Sequence, residues 1–291
     1  MSRTTDTDFT PGRLVTLTDR VSRVTAPNGG PMTGPGTNTY LVCGGPAGRD
    51  VAIVDAGPGH PAHLEALVSA IGGRRLAALL VTHTHIDHSP GTAPLAARFS
   101  APRVGRVSAH PEFQDASFAS DLVVLDGTRV AGDGWTLRAV PTPGHASNHV
   151  CWFLEEEGLV FTGDHVLGTT SPVILAPDGS MRDYLASLAR LRAMELTELM
   201  PGHGPRLSQP ARVLDDLVRH RMEREAQVVT ALRAGPPATV GELVDTVYAV
   251  LPGSLKTWAA YSLEAHLIKL EEEGRVARDA DRWSLREAAD G

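Results

Sequence analysis

Three histidines and one aspartate stand within six positions of this chain, directly after an uninterrupted apolar run. The run, residues 76–82, is typical of a strand buried on both faces of a layered sheet, and the cluster comprises His83, His85, Asp87 and His88. In an extended chain the H-x-H spacing places both rings on one side, and the next two side chains can reach a second point nearby. Imidazole is the commonest protein ligand of zinc, and carboxylate is a harder oxygen ligand. The segment therefore predicts a metal site at a strand end.

Three further candidate ligands stand beside glycine at the ends of later predicted strands. His145 follows residues 135–140, Asp164 follows residues 159–162, and His203 follows residues 198–200. Glycine lets the backbone approach a crowded site, and loops at strand ends are where an α/β scaffold usually carries its chemistry. Together with the first cluster they make seven ligands, which suffice for two metal ions and are too many for one tetrahedral site.

Composition excludes several other classes of protein. With 291 residues, 42% of them hydrophobic, the chain is long enough for a large globular domain with an appendage, and its apolar runs are far shorter than the roughly 20 residues of a membrane helix. The polar first ten residues and the presence of only two cysteines lead us to expect a cytoplasmic protein. The net charge of −7 disfavours general nucleic-acid coating, and two lysines among 27 basic residues suggest a GC-rich, bacterial source.

The order of predicted elements indicates an α/β (α+β) protein with three parts. In residues 1–205, short strands punctuated by single helices predict two sheets with helices on their outer faces; strands are expected at 104–108 and 122–125, among others. Residues 206–236 predict a long amphipathic linker helix. Residues 237–291 show a helix, a helix and a hairpin, which is the outline of a small winged-helix-like domain.

The motifs HTHIDH, PGH, GD and PGHG, in this order, resemble those of the metallo-β-lactamase superfamily over about residues 13–205. The resemblance implies a four-layer αβ/βα sandwich with metal ions at one edge. Matched residue by residue, it implies that His83, His85 and His145 hold the first metal ion. It further implies that the second ion is held by Asp87, His88 and His203, and that Asp164 bridges both.

A narrower resemblance joins the chain to the lactamase-β 2-like branch. It rests on residues 36–42 (GTNTYLV), on residues 202–205 (GHGP), and on His220, Arg221, Arg224 and Glu225 of the linker helix. The C-terminal stretch 263–276 (LEAHLIKLEEEGRV) fits it too. In that branch a helical linker and a small winged-helix-like domain follow the core, which extends the resemblance over nearly the whole chain. Some members are endoribonucleases that act on single-stranded RNA, and fungal relatives release polyketides from carrier proteins as thioesterases.

Two cations a few ångströms apart can hold a bridging water and lower its pKa towards neutrality. We therefore predict a hydrolase that uses a hydroxide bridging two metal ions, with Asp87 able to orient the attacking water and Asp164 ionised by its bridging position. The expected cofactors are two divalent ions per chain, zinc in the first place, with iron or manganese as alternatives because His/Asp sites accept all three.

The substrate stays open between single-stranded RNA and an acyl thioester. A lactone or β-lactam is a more distant alternative, and so is a non-hydrolytic metal-binding or redox protein of the same fold. Residues 237–285 carry a net charge of −3, so the C-terminal domain is expected to pack on the core, cap the cleft or help form a homodimer rather than bind RNA. Four arginines of the linker helix can form a positive stripe beside the metals: Arg212, Arg219, Arg221 and Arg224. The candidate substrate-binding residues are Arg221, Arg224, Tyr184 and Asn38.

Replacing His83 or Asp164 by alanine is expected to abolish both metal binding and turnover, because each side chain is an expected ligand of the centre. Metal analysis of the purified variants and a hydrolysis assay measure the two effects. Full activity in a metal-free variant would contradict this prediction.

Overall fold

A six-stranded sheet forms the first half of the core in the computed structural model, which describes residues 7–286. Its strands occur in the sheet in chain order: β1 (Leu14–Thr16), β2 (Val21–Thr25), β3 (Asn38–Cys43), β4 (Asp50–Val54), β5 (Arg75–Leu80) and β6 (Arg103–Val104). Strands β1 to β4 are antiparallel neighbours, whereas β4, β5 and β6 are parallel. Parallel neighbours need crossover connections, which α1 (Pro61–Ile71) and α2 (Thr92–Phe99) provide.

A second six-stranded sheet forms the other half of the core. Its strands also lie side by side in chain order: β7 (Arg129–Gly132), β8 (Trp135–Pro141), β9 (Val150–Leu154), β10 (Leu159–Gly163), β11 (Glu198–Pro201) and β12 (Leu207–Ser208). Strands β10 and β11 are parallel and are connected through α3 (Met181–Arg192). Ser180 caps α3 by accepting a hydrogen bond from the backbone N–H of Asp183, which fixes where this helix begins.

The two sheets pack face to face, and helices cover both outer faces. Fully buried side chains from β4 and β5, such as Ala52 and Leu80, meet Trp152 and Phe161 of the second sheet. Helices α1 and α2 cover the outer face of the first sheet, and α3 covers that of the second, where Leu188 lies in the core. This is the four-layer sandwich that the sequence predicts. Both faces of β5 are covered, which agrees with the apolar side chains in the buried part of this strand.

The C-terminal part is a small domain with a core of its own. Helix α4 (Pro210–Ala234) leads into it, and α5 (Val240–Val247), α6 (Gly253–Glu272), β13 (Val276–Asp279) and β14 (Arg282–Leu285) follow. Leu232, Leu267 and Trp283 pack together in its interior. The predicted helix, helix and hairpin are therefore confirmed, while the boundaries at 205 and 236 remain a prediction. Across residues 7–286, the helices are all too short or too polar to cross a membrane.

Two predicted strands are wrong. Strand β6 ends at Val104, and the apolar segment 122–125 is a loop that makes a single bridge from Leu122 to Val104. Val124 of this loop is buried in the core, whereas its neighbours are exposed. Beyond Val104 the backbone binds side chains instead of another strand: Gly105 N–H donates to Ser120 Oγ, and the Asn148 amide donates to the carbonyl of Arg106. Helix α2 and strand β7 were not expected from the sequence.

A buried ion cluster joins α4 to α6 in the C-terminal domain. Glu225 is 2% exposed and accepts hydrogen bonds from Lys269 Nζ and Arg275 Nη1, each at 2.8 Å, while His266 Nδ1 lies 3.7 Å away. Burial raises the pKa of this carboxyl, but the contact with His266 and the bonds from Lys269 and Arg275 outweigh it and lower the pKa to about 2. The partners thus keep a buried carboxylate ionised.

Replacing Glu225 by alanine is expected to lower the free energy of unfolding by about 2 kcal/mol at pH 7, because it leaves Lys269 short of a partner; Glu273 remains nearby. The stabilisation that the ionised Glu225 carboxylate provides is fully present above its ordinary pKa of 4.5 and is lost as the pH falls through about 2. The difference in the free energy of unfolding between the variant and the wild type therefore narrows in acid. Urea unfolding at several pH values measures it. Glu223→Ala, at an exposed neighbouring position, is the control and should cost no more than about 0.5 kcal/mol; equal losses in both variants would contradict the prediction.

Candidate metal centre

The seven predicted ligands lie together at one edge of the sandwich. They are carried by the loops that follow β5, β8, β10 and β11, which all open onto this edge. Two hydrogen bonds join the sheets where the first loop begins: Val150 N–H donates to the carbonyl of Thr82 at 2.7 Å, and the Trp152 indole donates to the carbonyl of Val81 at 3.1 Å. The first loop is therefore tied to the second sheet at its start.

The ligand atoms form three overlapping groups, each within 4.8 Å: His83, His85 and His145; His83, His88 and Asp164; and Asp87, His88 and His203. The Asp164 carboxylate lies between the two ends of the centre. Its Oδ1 is 3.4 Å from His88 Nε2 and 3.3 Å from His203 Nε2, and its Oδ2 is 3.8 Å from His145 Nε2. The carboxylate therefore approaches ligand atoms at both ends of the centre.

The first group presents converging ring nitrogens. His83 Nε2 and His145 Nε2 lie 2.9 and 3.1 Å from His85 Nδ1. Burial, followed by the charge of His88, holds the pKa of His83 well below its ordinary value, and burial together with His145 lowers the pKa of His85 to about 4. These rings are therefore neutral at pH 7, which is the form that binds metal.

The second group is an ionic cluster. Burial lowers the pKa of His88 and His203, but neighbouring carboxylates, Asp87 and Asp164 foremost, outweigh it: the pKa of His88 stands well above its ordinary value and that of His203 is about 9. Against the opposing effect of burial, the same contacts lower the pKa of Asp87 to about 2 and hold that of Asp164 well below its usual range. Positive charge is thus strongly favoured between the two carboxylates.

These residues fit two divalent cations. Within residues 7–286, the buried atoms His88 Nε2 and Asp164 Oδ1 have no hydrogen-bond partner, although both face the centre. Imidazoles at one end and two carboxylates between imidazoles at the other form the mixed nitrogen and oxygen donor set that such cations use.

Asp55 fixes the position of His88, and the sequence prediction missed it. This residue follows β4 in a left-handed backbone conformation with φ of 55°. Its carboxylate accepts hydrogen bonds from Thr82 N–H at 2.7 Å, from Thr82 Oγ1 at 2.8 Å and from His88 Nδ1 at 2.9 Å. The signal that could have found it is an aspartate directly after a buried strand, which is the same signal that pointed to Asp164.

Backbone carbonyls orient two other ligands. His145 Nδ1 donates to the carbonyl of Val173 at 2.7 Å, and His203 Nδ1 donates to that of Gly36 at 3.3 Å. The segment 172–174 is itself held from the C-terminal side, because Arg221 of α4 donates to the carbonyl of Pro172 and Ser262 of α6 accepts from Ile174 N–H at 3.4 Å. Helices outside the sandwich thus help to position a predicted metal ligand.

Two cavities open from the centre and share part of their walls, including Met32, Val173 and Trp258. The larger, of about 530 Å³, is largely apolar, and Ile86 is among its exposed side chains. The smaller, of about 280 Å³, lies between the sandwich and the C-terminal domain and is also lined by Arg224.

Of the four residues predicted to bind substrate, two line a cavity and two do not. Arg221 and Arg224 line the smaller cavity, whereas Asn38 and Tyr184 are wholly buried and have no surface that a substrate can reach. The Asn38 amide instead donates to the carbonyls of Pro201 and Gly204, which hold the loop of His203, and the Tyr184 ring packs within the core beside α4. Their predicted substrate contact is therefore corrected to a packing or positioning role.

The predicted positive stripe of the linker helix is also divided. Arg212 and Arg219 are exposed and form ion pairs with Asp216, and Arg219 lies near Glu223 as well. Neither lines a cavity at the centre. Only the half of the stripe formed by Arg221 and Arg224 faces the site.

Comparison with known families shows two matches along the chain. Residues 32–203 match the metallo-beta-lactamase superfamily, and residues 239–283 match the beta-lactamase associated winged helix domain. A beta-lactamase-like protein 2 homolog of Caenorhabditis elegans is 30% identical over 263 residues, which cover 89% of this chain and 87% of the relative. An atrochrysone carboxyl ACP thioesterase of Aspergillus chevalieri is 33% identical over 283 residues, which cover 92% of this chain and 88% of the relative.

Solved structures show the same architecture. A metallo-beta-lactamase family protein of Thermus thermophilus matches with a TM-score of 0.76 at 25% identity, covering 93% of this chain and all of that one (100%). A beta-lactamase domain protein of Burkholderia ambifaria matches with a TM-score of 0.82 at 21% identity, covering 96% of each chain. Both cover the sandwich and the C-terminal domain together.

Replacing Asp55 by asparagine is expected to weaken metal binding about 10- to 100-fold, because an amide has one acceptor oxygen and cannot accept hydrogen bonds from both Thr82 N–H and His88 Nδ1–H. Competition with a chromophoric chelator measures the affinity. Asp50→Asn, at the other end of β4, is the control, since that carboxylate binds Trp135 and Arg75 far from the centre. Unchanged affinity in Asp55→Asn would show that the carboxylate does not tune the site.

Proposed function

The chain belongs to the metallo-beta-lactamase superfamily of hydrolases, and from this premise we propose that it hydrolyses acyl thioesters at a centre of two divalent metal ions. Its lactamase-like relatives include two fungal proteins named as atrochrysone carboxyl ACP thioesterases, which supports a thioester as the bond that is cut. Location in the cytoplasm and assembly into a homodimer stay predictions.

The proposed ligands follow from the three groups of the centre. His83, His85 and His145 would hold one ion, Asp87, His88 and His203 the other, and Asp164 would contact both. When bound, divalent cations of this kind supply Lewis-acid polarisation of a carbonyl oxygen and lower the pKa of water towards neutrality. Zinc is the proposed metal, with iron and manganese as alternatives that the same donor set accepts.

The chain's own residues prepare the site for attack by water. Asp87, whose side chain is 23% exposed to the cleft and whose pKa is about 2, is ionised at pH 7 and can accept a hydrogen bond from an attacking water. Thr37 Oγ1 and the His203 ring approach the same Asp87 oxygen, at 3.4 and 3.2 Å, and so hold the carboxylate in one orientation. Asp164 stays ionised because its pKa lies well below the usual range.

The observation that carries the proposal is the lining of the larger cavity. Apolar atoms form most of the surface of this cavity, with Met32, Ile86 and Trp258 among the side chains that supply them. The charged groups beside the ligands are acidic, namely Glu112 and Asp178. An acyl group gains free energy by burying its carbon atoms against such a wall. An RNA strand carries a phosphate at every nucleotide and needs cationic side chains along its path. Among the described residues, this cavity has no lysine or arginine in its lining.

Zinc-loaded protein is expected to hydrolyse butyryl-S-pantetheine, and Asp164→Ala is expected to lower kcat/KM by about 1,000-fold or more, since the loss of a shared ligand disables both ions. Release of free thiol measures the reaction. Asp215→Ala, at an exposed position of α4, is the control that should retain wild-type activity.

Single-stranded RNA is incubated with the same preparations. RNA cleavage that persists in Asp164→Ala comes from a contaminating nuclease. Cleavage that this variant abolishes, together with no thioester turnover in the wild type, would overturn the proposal in favour of phosphodiester hydrolysis.

A further inference from the structure

The smaller cavity joins the metal centre to the C-terminal domain. His145 and Asp164 lie at its inner end, while α4 contributes His220, Arg221 and Arg224 to its wall. Its outer wall comes from the segment that joins α5 to α6 and from the start of α6, including Leu255 and Trp258. The cavity is therefore completed by two helices that lie outside the sandwich.

Two guanidinium groups in this wall have no carboxylate partner within residues 7–286. Arg221 is 3% exposed, donates to the carbonyl of Pro172 and leaves its buried Nε without a hydrogen-bond partner. Arg224 is half-buried and donates to the side chain of Gln227 at 2.8 Å. Burying a cation without an anion costs free energy. Arg212 and Arg219 of the same helix avoid this cost, because they are exposed and paired with Asp216.

Two aromatic rings and a neutral histidine lie beside these guanidinium groups. The guanidinium of Arg221 lies 5.1 Å from the centre of the Tyr184 ring, and that of Arg224 lies 4.8 Å from the centre of the Tyr248 ring. Burial, and then the charges of Arg221 and Arg224, lower the pKa of His220, so this ring is neutral at pH 7. The wall thus combines fixed positive charge with aromatic faces.

The two cavities have opposite electrostatic character. The larger contains Glu112 and Asp178 beside apolar side chains, whereas the smaller contains the unpaired guanidinium groups. Because both open onto His145 and Asp164, a substrate whose scissile bond lies at the centre can extend one part into each.

We infer that the smaller cavity binds the anionic end of the substrate through Arg221 and Arg224, while the larger cavity holds the uncharged part on the other side of the scissile bond. This inference rests on the proposed thioesterase function. The anionic group is a phosphate on the thiol arm or a carboxylate on the acyl group, since a guanidinium binds either through charge-assisted hydrogen bonds.

Three thioesters test the inference: butyryl-S-pantetheine, which is uncharged; butyryl-S-4′-phosphopantetheine, with a phosphate on the thiol arm; and glutaryl-S-pantetheine, with a carboxylate on the acyl group. The wild type is expected to prefer at least one charged substrate in kcat/KM, and Arg224→Met is expected to reduce that preference about 10-fold. Arg224→Lys should retain part of it. Arg219→Met is the matched control, because this arginine of the same helix is exposed and paired with Asp216, and it should keep the wild-type preference.

A binding measurement separates this inference from the proposed function. The S-butyl thioethers of pantetheine and of 4′-phosphopantetheine, and the matching S-(4-carboxybutyl) thioether of pantetheine, cannot be hydrolysed, and calorimetry with zinc-loaded protein gives their affinities directly. Tighter binding of a charged thioether that Arg224→Met abolishes, without turnover of any thioester, supports the inference and refutes the proposed function. Turnover with no preference for charge, or a preference that survives in Arg224→Met, overturns the inference and leaves the function standing.

Discussion

Two carboxylates and five imidazoles share one buried space, and their mutual electrostatics govern the rest of this structure. Asp87 and Asp164 face the same imidazoles, so like charges come close and must be balanced by positive charge. The sandwich holds them there with hydrogen bonds between its sheets and with Asp55, which binds the back of the His88 ring. The fold thus supplies a rigid frame around groups that would otherwise move apart.

The C-terminal domain contributes to the site in two separate ways. Arg221 and Ser262 hold the backbone around Val173, whose carbonyl binds His145, and the same helices close the smaller cavity. Its acidic composition is consistent with this role, since a domain that packs against the core needs no positive surface. The linker helix therefore belongs to the site as much as to the domain that follows it.

Local motifs made the fold class and the ligand set predictable, because each ligand stands in a short pattern after an apolar strand. Other features depend on residues far apart in the sequence. Asn38 and Tyr184 stand near the motifs, yet packing against distant elements buries both. The apolar segment 122–125 has the composition of a strand. Its possible neighbour, the backbone just beyond Val104, forms hydrogen bonds with the side chains of Ser120 and Asn148 instead of pairing with a strand. Local periodicity carries no information about such tertiary competition.

The hydrogen bond from Arg221 to Pro172 also bears on how the protein is made. The residues that steady the loop of His145 lie in α4 and α6, which the ribosome produces after the whole sandwich. A nascent chain that ends before α6 contains all seven ligands but lacks Ser262 and one wall of the smaller cavity. The surroundings of the centre are therefore complete only once α6 has been made. A product that ends before α6 would hold the segment around Val173, and with it His145, by fewer contacts.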